Sequence, residues 1–512
     1  MFKKWKSLNP AAKTSIAYTV CNILQKSISF LTLPIFTRLL TTDQYGQFAV
    51  YTTWSAIFTI LITLNLSFGT FDRAMIKFEG KRDQYTSSIH LIVLILSLVF
   101  VGIYLPLSGH INKLLTLSTP MVLLMVGEII GVFAFHTWCS RQKFDYNWKG
   151  IVIITLSMAV AAPLLALLFV FNMTDRGYAR ILGYAIINIA VGLFFLVYNM
   201  VKGKVIFSKE FWKYALTFNI PLLPYYFSQI IFNQSDRIMI EKLVGLSEAG
   251  IYSVAYSFAL VLSFVLTAIN SGYVPWLYRG IKAKNFLANR SVSLGIAGLV
   301  GLMVAGLVWI APEAMIVMAP EAYGEAVYVI PPVALSLVLL LYAQFAINIQ
   351  FFYEEKWLLL LASVGAAGLN IGLNFWLIPI YGYLAAGYTT LASYVVFALF
   401  NFLFIIKKIR KGGDLYRIYN IWGLLIILLG SAALSFGGMF LYPYRWVRLG
   451  IVIGLAVVAI ILIIVFWKKI KAFIKKFRAK DEAVEAENKP SEEEREEVSN
   501  ESNQEDCQSN QR

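Results

Sequence analysis

The sequence is poor in charge, in cysteine and in histidine. Asp, Glu, Lys and Arg together make up 14% of its 512 residues, too few to cover a soluble globule of that length. Its three cysteines, Cys21, Cys139 and Cys507, have neither pairing nor metal-ligand spacing, which excludes a disulfide framework, a zinc site and thiol chemistry. His90, His110 and His136 are equally without metal spacing and read as ordinary residues. No Asp-X-Asp motif and no Gly-rich phosphate cradle is present, so a metal-bound nucleotide has no evident place to sit. Catalysis, ATP hydrolysis, a metal and a cofactor are therefore not expected.

Apolar residues are abundant instead, at 59% with a mean hydropathy of +0.68. Windows of about 20 apolar residues place spans near 14–36, 47–71, 86–107, 118–138, 150–171 and 179–200. A second set falls near 213–234, 249–272, 288–311, 327–350, 356–378 and 383–406, with two more near 419–441 and 446–467. Lipid requires every backbone group to be satisfied within the chain, and these runs are too long and too uniformly apolar for barrel strands. The expected fold is an all-α integral membrane protein of about fourteen transmembrane helices. The basic start leads into a polar first span rather than a short cleavable one, so the N-terminus is expected to remain in the mature chain.

Those helices divide in two. The stretch Arg38 to Val50, RLLTTDQYGQFAV, returns in degenerate form as KLVGLSEAGIYSV at Lys242 to Val254, with Gly46 matching Gly250, Phe48 matching Tyr252 and Val50 matching Val254. At the same 204-residue offset Gly183-Tyr184 falls on Gly387-Tyr388. An even number of spans separates the copies, so they are parallel repeats about an axis along the membrane normal. The expected organisation is a six-helix lobe over 1–206, a second over 207–411, and helices 13 and 14 over 412–467. A basic amphipathic segment over 468–480 and a disordered acidic cytoplasmic tail over 481–512 complete it.

The formal net charge is +15, but residues 481–512 hold 12 Asp/Glu and 3 Lys/Arg, leaving 41 basic against 17 acidic residues on the rest. Such an excess could suggest nucleic acid. Its placement argues otherwise, because one set of alternate loops collects 23 Lys/Arg and the opposite set 6. This is a topology signal with both termini cytoplasmic, plus attraction to anionic membrane lipids, and no nucleic acid is expected as a partner.

Away from span edges the helices carry two full charges, Lys26 and Glu128. Each costs about 2.5–3.5 kcal/mol on insertion scales, so each needs a reason. Ser15, Thr19, Asn22, Lys26 and Ser29 follow steps of three and four, with Gln25 beside them, a polar stripe that should turn away from lipid. Two readings stay open: a buried Lys26–Glu128 ion pair, or Lys26 as an anion-binding charge on a water-filled cavity with Glu128 as a protonatable coupling group. The seventh span carries Pro221 and Pro224 early, where a kink is permitted, then Tyr225, Gln229, Asn233 and Asp236 on one face. Asp236-Arg237 is placed at the outer end of that span, as an anchor or coupling candidate. Arg38 and Arg73 read as anchors.

Three stretches carry a family likeness: PIFTRLLTTDQYGQFAVY after helix 1, QSDRIMIEKLVGLSEAGIYSVAYSFAL across helices 7 and 8, and PIYGYLAAGYTTLASY entering helix 12. In these the chain resembles the polysaccharide repeat-unit flippases (O-antigen and capsule type) of the multidrug/oligosaccharidyl-lipid/polysaccharide exporter superfamily. The resemblance implies alternating access between two lobes that carry an undecaprenyl-pyrophosphate-linked oligosaccharide across the bacterial cytoplasmic membrane. It also implies a polymerase and glycosyltransferases as candidate partners. Lys26, Asn22, Gln25, Gln229 and Asn233 are then candidates for substrate binding, and Glu128 and Asp236 for coupling. Further amides, Gln344, Asn348, Asn370 and Asn374, lie in the second lobe. A cation-coupled multidrug exporter of the same fold is the alternative.

Overall fold

A computed structural model describes residues 9–283, 286–353, 357–409 and 418–454. The chain separates into a body, Met1–Pro443, and a second unit from Tyr444, of which the described residues start another helix at Arg445. The amphipathic segment over 468–480, the acidic tail and most of the span at 446–467 lie outside the described residues.

The described residues are helical, and eleven stretches are long and apolar enough to cross a membrane. The first half comprises α1 (Pro10–Leu39), α2 (Thr42–Thr63), the short α3 (Thr70–Lys77), α4 (Arg82–Leu115), α5 (Thr119–Phe144), α6 (Trp148–Asn172) and α7 (Arg176–Gly203). The short α8 (Lys209–Asn219) leads to α9 (Leu223–Leu243), α10 (Leu246–Ala259), α11 (Ser263–Lys282), α12 (Phe286–Trp309) and α13 (Ala311–Met318). Then follow α14 (Ile330–Phe352), α15 (Trp357–Tyr381), α16 (Leu384–Ile409) and α17 (Ile421–Phe440).

Local chemistry sets these boundaries. Thr41 and Gln44 form a reciprocal capping box that starts α2, and Leu64 and Asn65, both left-handed, stop it. The second span is thus shorter than the 47–71 expected from hydropathy, and Thr70–Lys77 forms its own helix. The span expected at 213–234 is two helices. Pro221 removes a backbone donor, the chain passes through a 3-10 turn at Ile220–Leu222, and α9 then runs on to Leu243.

Helices approach closely where side chains are absent, as lipid-immersed packing favours. A Cβ on Gly131 of α5 would overlap the carbonyl oxygen of Asn188 on α7, and one on Gly192 of α7 would overlap the backbone of Gly131. Neighbour relations recur down the chain: α7 packs on α5 and α6 as α16 packs on α14 and α15, and α1 packs on α6 as α9 packs on α15. The repeated stretches meet each other. A Cβ on Gly46 would overlap the carbonyl oxygen of Leu246, and one on Gly250 would overlap that of Thr42. Thr42 and Leu246 are themselves 204 residues apart, so the contact is reciprocal.

Candidate functional site

The polar stripe of α1 is held at both ends and loosely in the middle. Near its start Thr14 donates to the Tyr146 carbonyl at 3.2 Å and the Lys143 ammonium lies 3.9 Å from the Tyr18 ring centroid. At its far end Thr37 donates to the Met318 carbonyl at 2.6 Å, and Arg38 donates to the Val317 carbonyl at 2.7 Å, satisfying the last carbonyls of α13. Between them Asn22 is half-buried, while Gln25 and Lys26 are exposed. The Lys26 ammonium rests 4.3 Å from the ring centroid of Phe264 on α11, and Phe30 stacks on Phe258 of α10 at 6.5 Å. Lys26 therefore faces the second half of the chain.

The Lys26–Glu128 pair is not formed. Glu128 accepts from the Tyr51 hydroxyl of α2 at 2.8 Å and from the Asn188 amide of α7 at 2.7 Å, within the first half. Among the described residues Lys26 makes no ion pair, and its contact is the face of an aromatic ring.

Asp236 departs furthest from expectation. Because α9 continues to Leu243, this residue sits inside the helix and is 2% exposed, where hydropathy had placed it at an outer edge. Its carboxylate accepts from Tyr252 at 2.7 Å, from Thr390 at 2.8 Å and from Asn374 at 2.6 Å, donors from α10, α16 and α15. Asn374 also donates to Asn370 and accepts from Thr389. One and two turns earlier on α9, Asn233 accepts from Tyr394 at 3.1 Å and Gln229 donates to Ser363 at 2.9 Å. Gln229, Asn233 and Asp236 thus form one polar seam between α9, α15 and α16. Asn348 likewise pairs with Asn270 at 2.8 Å. Buried amides need partners, and Asn233, Gln229, Asn374 and Asn348 find theirs within the second half, whereas the Asn370 Nδ2 and Gln344 Oε1 atoms find none among the described residues.

Arg180, near the start of α7, is a buried charge that hydropathy left at a span edge. It is 5% exposed, with its guanidinium 4.3, 4.6 and 3.8 Å from the ring centroids of Phe36, Tyr45 and Phe48. Its Nε and Nη1 find no acceptor among the described residues. The signal was available in sequence only as an arginine four residues past Arg176.

At the end of the bundle with few basic loop residues the two halves are tied directly. Besides the glycine crossing, Ser247 donates to Thr42 at 2.7 Å, Thr116 donates to Glu241 at 2.7 Å, and Lys242 donates to the Lys113 carbonyl at 3.2 Å.

Residues 11–280 match the family described as polysaccharide biosynthesis protein. The chain belongs to that family. Over 291 residues it is 26% identical to an Lsg locus protein of Haemophilus influenzae, covering 54% of this chain and 68% of the relative. A second membrane protein of that organism is 28% identical over 286 residues, covering 53% of this chain and 66% of the other. Among solved structures, the lipid II flippase MurJ in an inward closed conformation superposes with a TM-score of 0.64 at 16% identity, over 89% of this chain and 99% of that one. A multidrug resistance MATE transporter, inward-facing, gives 0.58 at 14% identity, over 76% and 96%. This member of the polysaccharide biosynthesis family is thus a multi-pass membrane protein with the fold shared by flippases and exporters of the superfamily.

Proposed function

We propose that this protein flips undecaprenyl-pyrophosphate-linked oligosaccharide units across the bacterial cytoplasmic membrane by alternating access of two lobes, 1–206 and 207–411. In this reading Lys26, with Asn22 and Gln25 beside it, meets the diphosphate, and both chain ends are cytoplasmic. The observation that carries it is the placement of Lys26, a cation on a polar helix face with no acid partner among the described residues, turned toward the second half. A cation–π contact is worth about 0.5–2 kcal/mol, so a diphosphate can displace Phe264 from the ammonium. The ties at the basic-poor end support an arrangement closed there and due to open in the transport cycle.

Asp236 is the coupling group of this reading. Three neutral donors solvate its carboxylate but none neutralises it, and Arg237 is turned to Gln234, Ser253 and the Tyr256 ring. A proton or a small cation bound there would offset the buried charge and bias α9 against α15 and α16. Gln229 and Asn233 extend that seam and reach the substrate only if α9 moves. Glu128, with its two donors, is the weaker coupling candidate.

The test is surface glycan and membrane abundance in cells that depend on this gene. Lys26→Ala should abolish surface glycan at near-normal abundance, Lys26→Arg should keep part of it, and Lys26→Ala with Glu128→Ala should not recover. Full export from the double variant would sink the binding role. Normal surface glycan in a null strain, with drug efflux lost, would instead favour the exporter.

A further inference from the structure

At the basic-rich end two short helices, α3 and α8, lie between spans and pack on each other. α3 buries Phe71, Ala74 and Met75 and turns Arg73, Ile76 and Lys77 outward. α8 buries Phe211 and Ala215 and exposes Lys213 and Thr217. They border an open surface cavity of about 390 Å³, lined by Lys77 of α3 and by Glu210, Lys213, Tyr214, Thr217 and Phe218 of α8. The Lys77 ammonium lies 4.4 Å from the Tyr214 ring centroid, and the Arg73 guanidinium 4.9 Å from that of Phe218. The ion pairs at this end of the bundle are made by Arg82, Arg141 and Lys202. Among the described residues Lys77 and Lys213 make none, although Glu210 lines the same cavity.

We propose that this cavity binds the phosphodiester headgroup of an anionic membrane phospholipid, with Lys77 and Lys213 on the phosphate. Three features favour that occupant. Two lysines against one glutamate leave one net positive charge, which matches a single phosphodiester and falls short of a diphosphate. The Tyr214 ring holds the Lys77 ammonium at the cavity wall by a contact that leaves its hydrogen-bond donors free, and Lys213 is exposed one helix position before that ring. Ile76, 69% exposed, and Phe207, 59% exposed, flank the two helices and give the acyl chains an apolar margin. The site is separate from Lys26, and its test reads binding rather than transport, so either can fail alone.

The measurement is native mass spectrometry of the full-length protein in neutral detergent with dioctanoyl phosphatidylglycerol. The wild type should retain one lipid. Lys77→Gln with Lys213→Gln should weaken retention about thirtyfold, at the roughly 1 kcal/mol per basic residue typical of such contacts. Lys77→Arg with Lys213→Arg should keep it, which separates lost charge from a damaged fold. Equal retention in the Gln variant, equal retention of phosphatidylcholine by the wild type, or a stronger hold on farnesyl diphosphate than on phosphatidylglycerol would each overturn the proposal.

Discussion

Glu128 in the first half and Asp236 in the second are carboxylates within the helix bundle that make no ion pair among the described residues, and the two are solvated differently. Glu128 of α5 has two donors, Tyr51 and Asn188, and is only half-buried. Asp236 of α9 has three donors, Tyr252, Thr390 and Asn374, and is closed off from its surroundings. They are not repeat partners: the 204-residue offset carries Asp236 to Thr32 and Glu128 to Pro332. The glycine crossing, by contrast, is reciprocal to the residue. The halves therefore share a scaffold and differ in their polar interiors. A carboxylate that charges and discharges without moving its surroundings needs few fixed partners, whereas one that biases helix positions needs donors from several helices. In the proposed cycle that criterion gives the response to Asp236, which draws donors from three other helices against two for Glu128.

The largest effects should come from the shared part. Gly46→Val and Gly250→Val each drive a side chain into a backbone carbonyl of the other half, and backbone cannot step aside as a flexible side chain can. Both should cut membrane abundance about tenfold or more, to similar degrees. A tolerated Gly46→Val beside a lethal Gly250→Val, judged by immunoblot of membranes, would show the crossing to be less symmetric than its geometry. Next in size is a split in transport. Asp236→Asn should leave abundance near normal but reduce surface glycan about tenfold or more, while Glu128→Gln should reduce it only about twofold to fivefold. Equal losses in the two variants would break the comparison.

Arg180 gives a smaller effect confined to the first half. It links α7 to α1 and α2 through Phe36, Tyr45 and Phe48. Three desolvated ring contacts and the lost packing should lower stability by about 2–4 kcal/mol in Arg180→Ala. Arg180→Met, which keeps volume without charge, should recover part of it, because a buried charge without an acid partner is itself costly. A thermal shift in detergent micelles decides between them. A Met variant no more stable than the Ala variant would assign the effect to charge alone.

The helical fold and most span boundaries were legible because hydrophobic run length answers directly to lipid. The broken spans were legible only as hints: Pro221 permitted a kink, but nothing local announced that α9 would resume and carry Asp236 inward. Hydropathy sees that residue beside Arg237 at the close of a run, where charged residues usually mark a surface. Its burial depends on Tyr252, Asn374 and Thr390, 16, 138 and 154 residues away, and no window holds them together. Lys26 was easier to read, since its stripe is local to one helix. Arg180 was missed for the opposite reason: its partners are rings, and an apolar neighbourhood is what a lipid-facing residue would also show.

The finest test of the difference between the two carboxylates removes one hydroxyl from each. Tyr51→Phe leaves Glu128 with Asn188 in a partly buried position, less enclosed than that of Asp236, with room for a replacement donor. Tyr252→Phe leaves Asp236 with Thr390 and Asn374 in a site closed to one. A hydrogen bond to a charged group is worth about 1.5–3 kcal/mol when its loss cannot be made good. That full amount should appear in Tyr252→Phe, and less than about 1 kcal/mol in Tyr51→Phe, since the deprived oxygen of Glu128 finds a substitute. Parallel urea or thermal unfolding of the two variants in the same detergent measures the gap. Two equal shifts would mean that Glu128 is as tightly enclosed as Asp236, and the assignment of coupling to the second half would lose its physical basis.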